Sequence, residues 1–374
     1  MITRRGMLLR GAGLAAGALA AAAASRAGTV RARLTAATQD LTPQQLAGQR
    51  VIYSYPGYTP PATLFSLISA GQAAGVIFFG ENIKSDGQIA SVIGQFSQAS
   101  QQSPVPAPLL LMTDQEGGLV RRLKGQPANS EKEIGSSADP ISEAAKAGAG
   151  AGRNLQGVGM NVNLAPVLGV YRQAGDFLDQ FQRSYSMDPA ICAECGAAMI
   201  SAQQQTGVAA TAKHFPGLGA ATSTQNTDEG PVTLNLSLSD LRSIDEYPYP
   251  PAVSAGVKLV MCSWAVYPAL DPTYPAGLSQ TIVRGELRSR IGFTGVTITD
   301  ALEAGALQAF GDTGQRAVAA AAAGMDAILC SARDVSQGQA AVAALAGAYS
   351  SGQLDPSQFQ AEAQRVTALR ASLL

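Results

Sequence analysis

The 374-residue sequence predicts a single-domain (β/α)8 TIM barrel, an α/β fold. Three observations predict it. Apolar runs of strand length recur about eight times, each followed by a loop and then a segment of helical composition. The runs are continuously apolar rather than alternating, as parallel strands covered on both faces require. Polar side chains fall at the C-terminal ends of several different runs, where a barrel gathers its chemistry. An open doubly wound sheet gives a similar string but would concentrate them at one switch point.

In chain order, Arg4 and Arg5 precede an Ala/Gly/Leu run from Met7 to Ala24. This reads as an export signal of twin-arginine type over residues 1–27, with a cut after Ala23 or Ala27. An uncleaved anchor is the alternative, in which case membrane contact is made through this segment only. No Cys ends the run, which argues against a lipid anchor. The barrel is assigned to residues 28–374. Its strands are read at Val51 to Tyr53, Gly75 to Phe79, Pro108 to Met112, Met160 to Leu164, Val208 to Ala212, Lys258 to Met261, Val296 to Ile298 and Asp326 to Leu329. The segments Ser91 to Ser100, Ile141 to Gln156, Ile191 to Gln205 and Gln315 to Ala323 have helical composition. Tyr247 to Pro251 reads as a turn before the sixth strand. The tail from Leu354 reads as a polar turn and a helix packed on the barrel wall.

Composition excludes some functions. Hydrophobic residues make up 46% of the chain and the formal charge is -1. There is material for a large core and no basic excess to attract phosphate backbones, so nucleic acid is not an expected partner. The four cysteines are too few for a disulfide framework. Cys192 and Cys195 read as two buried or locally bridged thiols, and Cys262 and Cys330 as core thiols. No metal cluster or phosphate loop is visible, so no metal and no cofactor is expected.

The chemistry-bearing residues stand at strand ends. Asp114 follows the third run, Asn163 closes the fourth, Lys213 and His214 follow the fifth, Ser263 the sixth and Asp300 the seventh. LLLMTDQEGGLVRR holds Asp114 and Glu116 before a glycine pair that would let backbone approach a ligand. A loop salt-bridged to Arg121 and Arg122 is the competing reading. AKHFPGLG contains His214, the single histidine, directly after Lys213; a lone histidine is otherwise most often a satisfied core group. Asp300, directly after an apolar strand and opposite Lys213, reads as a carboxylate that the lysine keeps ionised. Its competing role is a cap on a helix beginning near Leu302.

GVIFFGENI, DQEGGLVRRL, NVNLAPVLGV, QRSYSMDP, KHFPGLG and GFTGVTITD occur in the order found in family 3 glycoside hydrolases. From about Ala47 to Arg333 the chain resembles that family, particularly its single-domain β-N-acetylhexosaminidases of cell-wall recycling. The resemblance implies an exo-acting, retaining β-glycosidase that takes a terminal N-acetylglucosamine from an oligosaccharide. It implies Asp300 as nucleophile, and a grip on the sugar from Asp114, Arg122, Arg183, Lys213 and His214. With the leader, it implies an exported bacterial protein, extracellular or in the cell envelope.

The motifs also depart from the family pattern. The Asp-Ser-His element expected beyond the Lys-His motif is missing: Thr224 stands where its aspartate should be and Asn226 where its histidine should be. Leu218 replaces a histidine in the Pro-Gly turn, and Gly169 replaces a carboxylate. Retaining hydrolysis still needs a proton donor close to the nucleophile. Asp228, ahead of Glu229, is the local candidate, on a polar loop that would desolvate it on closure. The alternative is a carbohydrate-binding relic that kept the grip and lost the acid.

Overall fold

The computed structural model describes residues 40–105 and 107–373; the leader lies outside the described residues. Eight parallel strands form one sheet: β1 (Val51–Tyr53), β2 (Gly75–Ile77), β3 (Leu110–Thr113), β4 (Val162–Asn163), β5 (Ala209–Phe215), β6 (Leu259–Cys262), β7 (Val296–Thr299) and β8 (Ile328–Leu329). Neighbours in space follow chain order, with β8 beside β1. A bridge from Ile298 to Ala327, just before β8, joins the other edge and closes the barrel. All eight runs read from the sequence are therefore strands.

Helices cover the barrel, and their starts are written locally. Asp139, Asp188 and Asp355 each cap a helix whose first turn opens with proline, at Pro140, Pro189 and Pro356. The aspartate accepts an orphan N–H, and proline has none to leave unsatisfied. Two apolar layers result. Ile52, Met112, Val162, Met261 and Ile298 fill the interior, and a larger cluster lies between strands and helices.

The helix Pro356–Ser372 packs across the barrel floor rather than its side, adding Val366 and Leu369 to the interior layer. Two boundaries also differ from the sequence reading. Tyr249–Ser254 is a short helix, because prolines are tolerated in a first turn where no intrahelical N–H is needed. Strand β5 runs on through Phe215, so Lys213 and His214 belong to the strand itself. All four cysteines are buried and free, so the bridged alternative for Cys192 and Cys195 is not realised. Among the described residues, no helix is long and apolar enough to cross a membrane.

Candidate active site

A cavity of about 280 Å3 opens at the C-terminal mouth of the barrel. Asp114, Arg122, Arg183, Lys213, His214, Asp228 and Asp300 all line it, so the seven residues singled out from the sequence converge on one place. Glu229 does not line it; its carboxylate accepts a hydrogen bond from Asn226 Nδ2 at 3.0 Å.

Strand β5 supplies two adjacent residues to the same cavity, although successive strand side chains ordinarily point to opposite faces. Its register against β6 slips between Lys213 and Phe215, where the Lys213–His214 peptide is also cis. Such a bulge re-aims a side chain next to a site.

The cavity floor is an ion network. Lys213 Nζ lies 2.8 Å from Asp114 Oδ1 and 2.8 Å from Glu116 Oε1. Arg183 donates to both oxygens of Glu116, at 2.8 and 2.9 Å. Arg122 stands 3.6 Å from Asp114 Oδ2. Burial alone would raise both carboxyls, but the cations beside them win: Arg183 and Lys213 hold Glu116 down to about 2, and Lys213 with Arg122 holds Asp114 below the usual range. The paired carboxylates in turn keep buried Lys213 charged, its pKa raised above the ordinary value.

Glu116 is the carboxylate that sequence reasoning left without a role. Its main partner, Arg183, is 67 residues away in the chain, a distance over which sequence gives no signal. The salt-bridged loop with Arg121 is not what forms, since Arg121 donates to the Gly125 carbonyl at 2.7 Å. The glycines do not line the cavity. Gly117, at φ +113°, sits where a Cβ would lie 2.2 Å from the Asn129 carbonyl, so the pair serves a tight turn. Asn163 and Ser263 are structural as well. The Asn163 amide clamps the Gln115 backbone, and Ser263 Oγ accepts the Ala265 N–H.

Asp300 differs from the expectation that Lys213 keeps it ionised. Lys213 is engaged by Asp114 and Glu116, and burial, then the negative charge of Asp228, raise the Asp300 carboxyl to about 7. The Ala301 N–H, at 2.7 Å from Asp300 Oδ1, opposes this, and Lys213 and Arg183 oppose it from farther off. The carboxylate caps no helix: the next helical turn, Gly305–Phe310, has Ala304 before it and no side-chain cap. Asp228 reaches solvent at the mouth, yet its carboxyl is also raised, by burial against the cavity wall and by Glu303, with Arg183 opposing. His214 Nε2 is 3.8 Å from Asp300 Oδ2. Burial, Lys213 and Arg183 hold its imidazole well below the ordinary value, so the ring is neutral.

The loop carrying Asp228 is docked rather than awaiting closure. The Gly305 N–H donates to the Asp228 carbonyl at 2.8 Å and the Ala306 N–H to the Thr227 carbonyl at 3.0 Å. Two sequence departures also gain a physical reason. At Gly169 an added Cβ would lie 2.2 Å from Leu178 Cδ1, so a carboxylate there would require the end of the Leu178 side chain to move. Leu218 is a buried apolar wall of the cavity, and Thr224 is exposed away from it. Phe79, Phe177, Ser331 and Arg333 also line the cavity, and no sequence signal marks them as site residues. The Arg333 guanidinium lies over the Phe79 ring, 4.3 Å from its centroid. Among the described residues, no three His, Cys, Asp or Glu side chains are grouped to hold a metal.

Known proteins share this architecture. Residues 44–369 match the model of the glycosyl hydrolase family 3 N-terminal domain. A protein of Arthroderma benhamiae named an uncharacterized secreted glycosyl hydrolase is 46% identical over 329 residues, covering 87% of this chain and 93% of that protein. Beta-hexosaminidase A of Pseudoalteromonas piscicida is 28% identical across 91% of this chain, which spans 62% of that protein. A family 3 beta-N-acetylglucosaminidase of a Paenibacillus species superposes with a TM-score of 0.83 at 31% identity, over 89% of this chain and 63% of its own. The beta-N-acetylhexosaminidase of Beutenbergia cavernae superposes at 0.77 and 31% identity, over 89% of this chain and 98% of its own. This chain belongs to glycosyl hydrolase family 3 and is built on that family's N-terminal barrel domain.

Proposed function

We propose that the protein is an exo-acting, retaining β-N-acetylglucosaminidase of oligosaccharides, with Asp300 as nucleophile and Asp228 as acid/base. One observation carries this reading: two carboxyls, on the β7 end and on the docked loop after β5, share one cavity and both have a raised pKa, Asp300 by burial and then by the charge of Asp228, Asp228 by burial and by Glu303. Such a pair keeps one proton near neutrality, which is the state retaining hydrolysis starts from. Asp300 takes the ionised role on losing its proton near neutrality, where the Ala301 N–H and the positive charges of Lys213 and Arg183 offset part of the burial that raises it. It attacks the anomeric carbon while Asp228 gives its proton to the leaving oxygen. Water then attacks the glycosyl ester, and Asp228 takes that water's proton.

The pocket, of about 280 Å3, suits one terminal ring rather than a threaded chain. Asp114, Lys213, Arg183, Arg122 and His214 bind the hydroxyls of that ring. Glu116 acts behind them, holding Lys213 and Arg183 charged and in place. The N-acetyl preference follows the named relatives. We further propose export to a bacterial envelope or beyond it: Arg4 and Arg5 before the Ala-rich run support it, and a fungal relative is named as secreted.

The test uses aryl N-acetylglucosaminides with good and poor leaving groups. Asp300→Asn should abolish turnover of both. Asp228→Asn should lose about 10²–10⁴-fold on poor leaving groups and much less on activated ones. Equal losses on both would sink the role of Asp228. Sugar binding without any turnover by the wild type would replace the enzyme with a carbohydrate-binding relic.

A further inference from the structure

Both members of the pair rest on one short turn, Asp300 by its carboxylate and Asp228 by its backbone carbonyl. Ala301 N–H donates to Asp300 Oδ1 at 2.7 Å. Four residues on, Gly305 N–H donates to the Asp228 carbonyl at 2.8 Å, and Ala306 N–H to that of Thr227 at 3.0 Å. The separation of the two side chains is therefore set by the backbone from Ala301 to Ala306. Gly305 allows the contact, because an added Cβ would lie 2.3 Å from the Glu229 carbonyl oxygen.

What fixes that turn is Trp264, the single tryptophan of the sequence, just beyond the end of β6. Its ring is 1% exposed, and its indole Nε1–H donates to the Ala301 carbonyl at 2.8 Å. The same carbonyl accepts the Ala304 N–H at 3.1 Å, so the turn is closed from inside and pinned from outside. The ring is itself held: Gly277 lies flat on it, a Cβ there falling 2.5 Å from Cζ3. Tryptophan is the largest apolar side chain and packing alone would explain its burial. Packing does not require that its one polar atom meet the peptide whose N–H binds Asp300.

We propose that Trp264 is a positioning residue for both members of the pair, acting through the turn Ala301–Ala306. This rests on Asp300 and Asp228 being the reacting pair. A turn released from the indole lets Asp300 rotate and the Asp228 loop move away. Small displacements of this kind lower the chemical step more than binding.

The experiment compares wild type, Trp264→Phe and Gly305→Ala on aryl glycosides of good and poor leaving groups, with Asp300→Asn and Asp228→Asn alongside. Trp264→Phe removes the donor and also shortens the ring that packs on Gly277, so some loss of stability is expected with it. We expect kcat to fall about 10–100-fold with KM little changed, and the loss to be greater for poor leaving groups. Gly305→Ala, which displaces the loop directly, should give the same signature, and it carries the test if the phenylalanine variant does not fold. A second readout needs no turnover. The difference in thermal midpoint between each protein and its Asp300→Asn partner, followed against pH, reports the Asp300 titration, which should move to lower pH in Trp264→Phe. A variant that melts earlier but keeps the leaving-group ratio and the titration of the wild type reduces Trp264 to packing and overturns the proposal. Full turnover in Asp300→Asn would instead sink the catalytic reading, and the titration comparison would then decide the positioning role alone.

Discussion

A carboxyl raised to about 7 by burial and by a neighbouring carboxylate weakens the fold when it ionises. Unfolded Asp300 would titrate near the ordinary aspartate value of 3.8, so between that pH and about 7 the native state binds more protons. Stability from this group is complete at low pH and is lost as pH rises through the folded value. Asp300→Asn, which can still accept the Ala301 N–H, should leave the thermal midpoint unchanged near pH 4 and raise it by a few degrees at pH 7.5. An equal effect at both pH values would disprove the titration. Buried Glu131 makes a parallel case. One of its oxygens accepts the Val167 N–H at 2.9 Å, while burial, with Glu116 next, raises its carboxyl well above the ordinary range. A neutral group there is mimicked by an amide. Glu131→Gln should therefore melt and turn over like the wild type at pH 7, and a drop in midpoint of more than a few degrees would mean the anion is present. Residues of this kind are hard to read in a sequence. Glu131 looks like an ordinary solvated helix start, and Trp264 like core, because the partner that gives each its role is distant in the chain.

At the scale of elements, strands were legible and site geometry was only partly so. Gly75 to Phe79 is read correctly because a strand covered on both faces has no polar residue to spare. The bulge in β5 was not legible: register depends on the neighbouring strand, and nothing in AKHFPGLG states it. The polarity of the loop after β5 predicts a segment that closes over the site, yet its own side chains tie it down. Asn226 Oδ1 accepts the Asp228 N–H at 3.0 Å, its Nδ2 donates to Glu229 at 3.0 Å, and buried Thr227 anchors the centre. Asn226, standing where a histidine was expected, thus shapes the turn that presents Asp228. Asn226→Ala should cost about tenfold or more on poor leaving groups, within the range of acid catalysis, and little on activated ones. Parallel leaving-group series for the two proteins would disprove this if they superimposed.

Across the whole molecule, the barrel separates chemistry from stability, with the cavity at one end and a second ion network at the other. On the floor, Asp326 is fully buried and receives Arg288 and, at 2.9 Å, Arg365 of the C-terminal helix. Arg50 bonds the Met325 and Asp326 carbonyls and pairs with Glu362 of the same helix at 2.9 Å. Arg370 reaches the Pro108 and Ala107 carbonyls at 2.6 and 2.8 Å. The last helix thus joins the starts of β1, β3 and β8, holding the closed barrel together from beneath. Sequence reading assigned this helix to the wall, because its apolar spacing does not distinguish a wall from a floor. Asp326→Ala would leave two arginines facing a buried gap, and breaking a buried ion pair costs about 3–5 kcal/mol. The thermal midpoint should fall by at least about 6 °C. Since Asp326 precedes β8 and the cavity residues Ser331 and Arg333 follow it, kcat and KM below the melting range should stay those of the wild type. A loss of turnover without a loss of stability would mean that floor and mouth are coupled through the strands, and the division of labour between the two ends would fail.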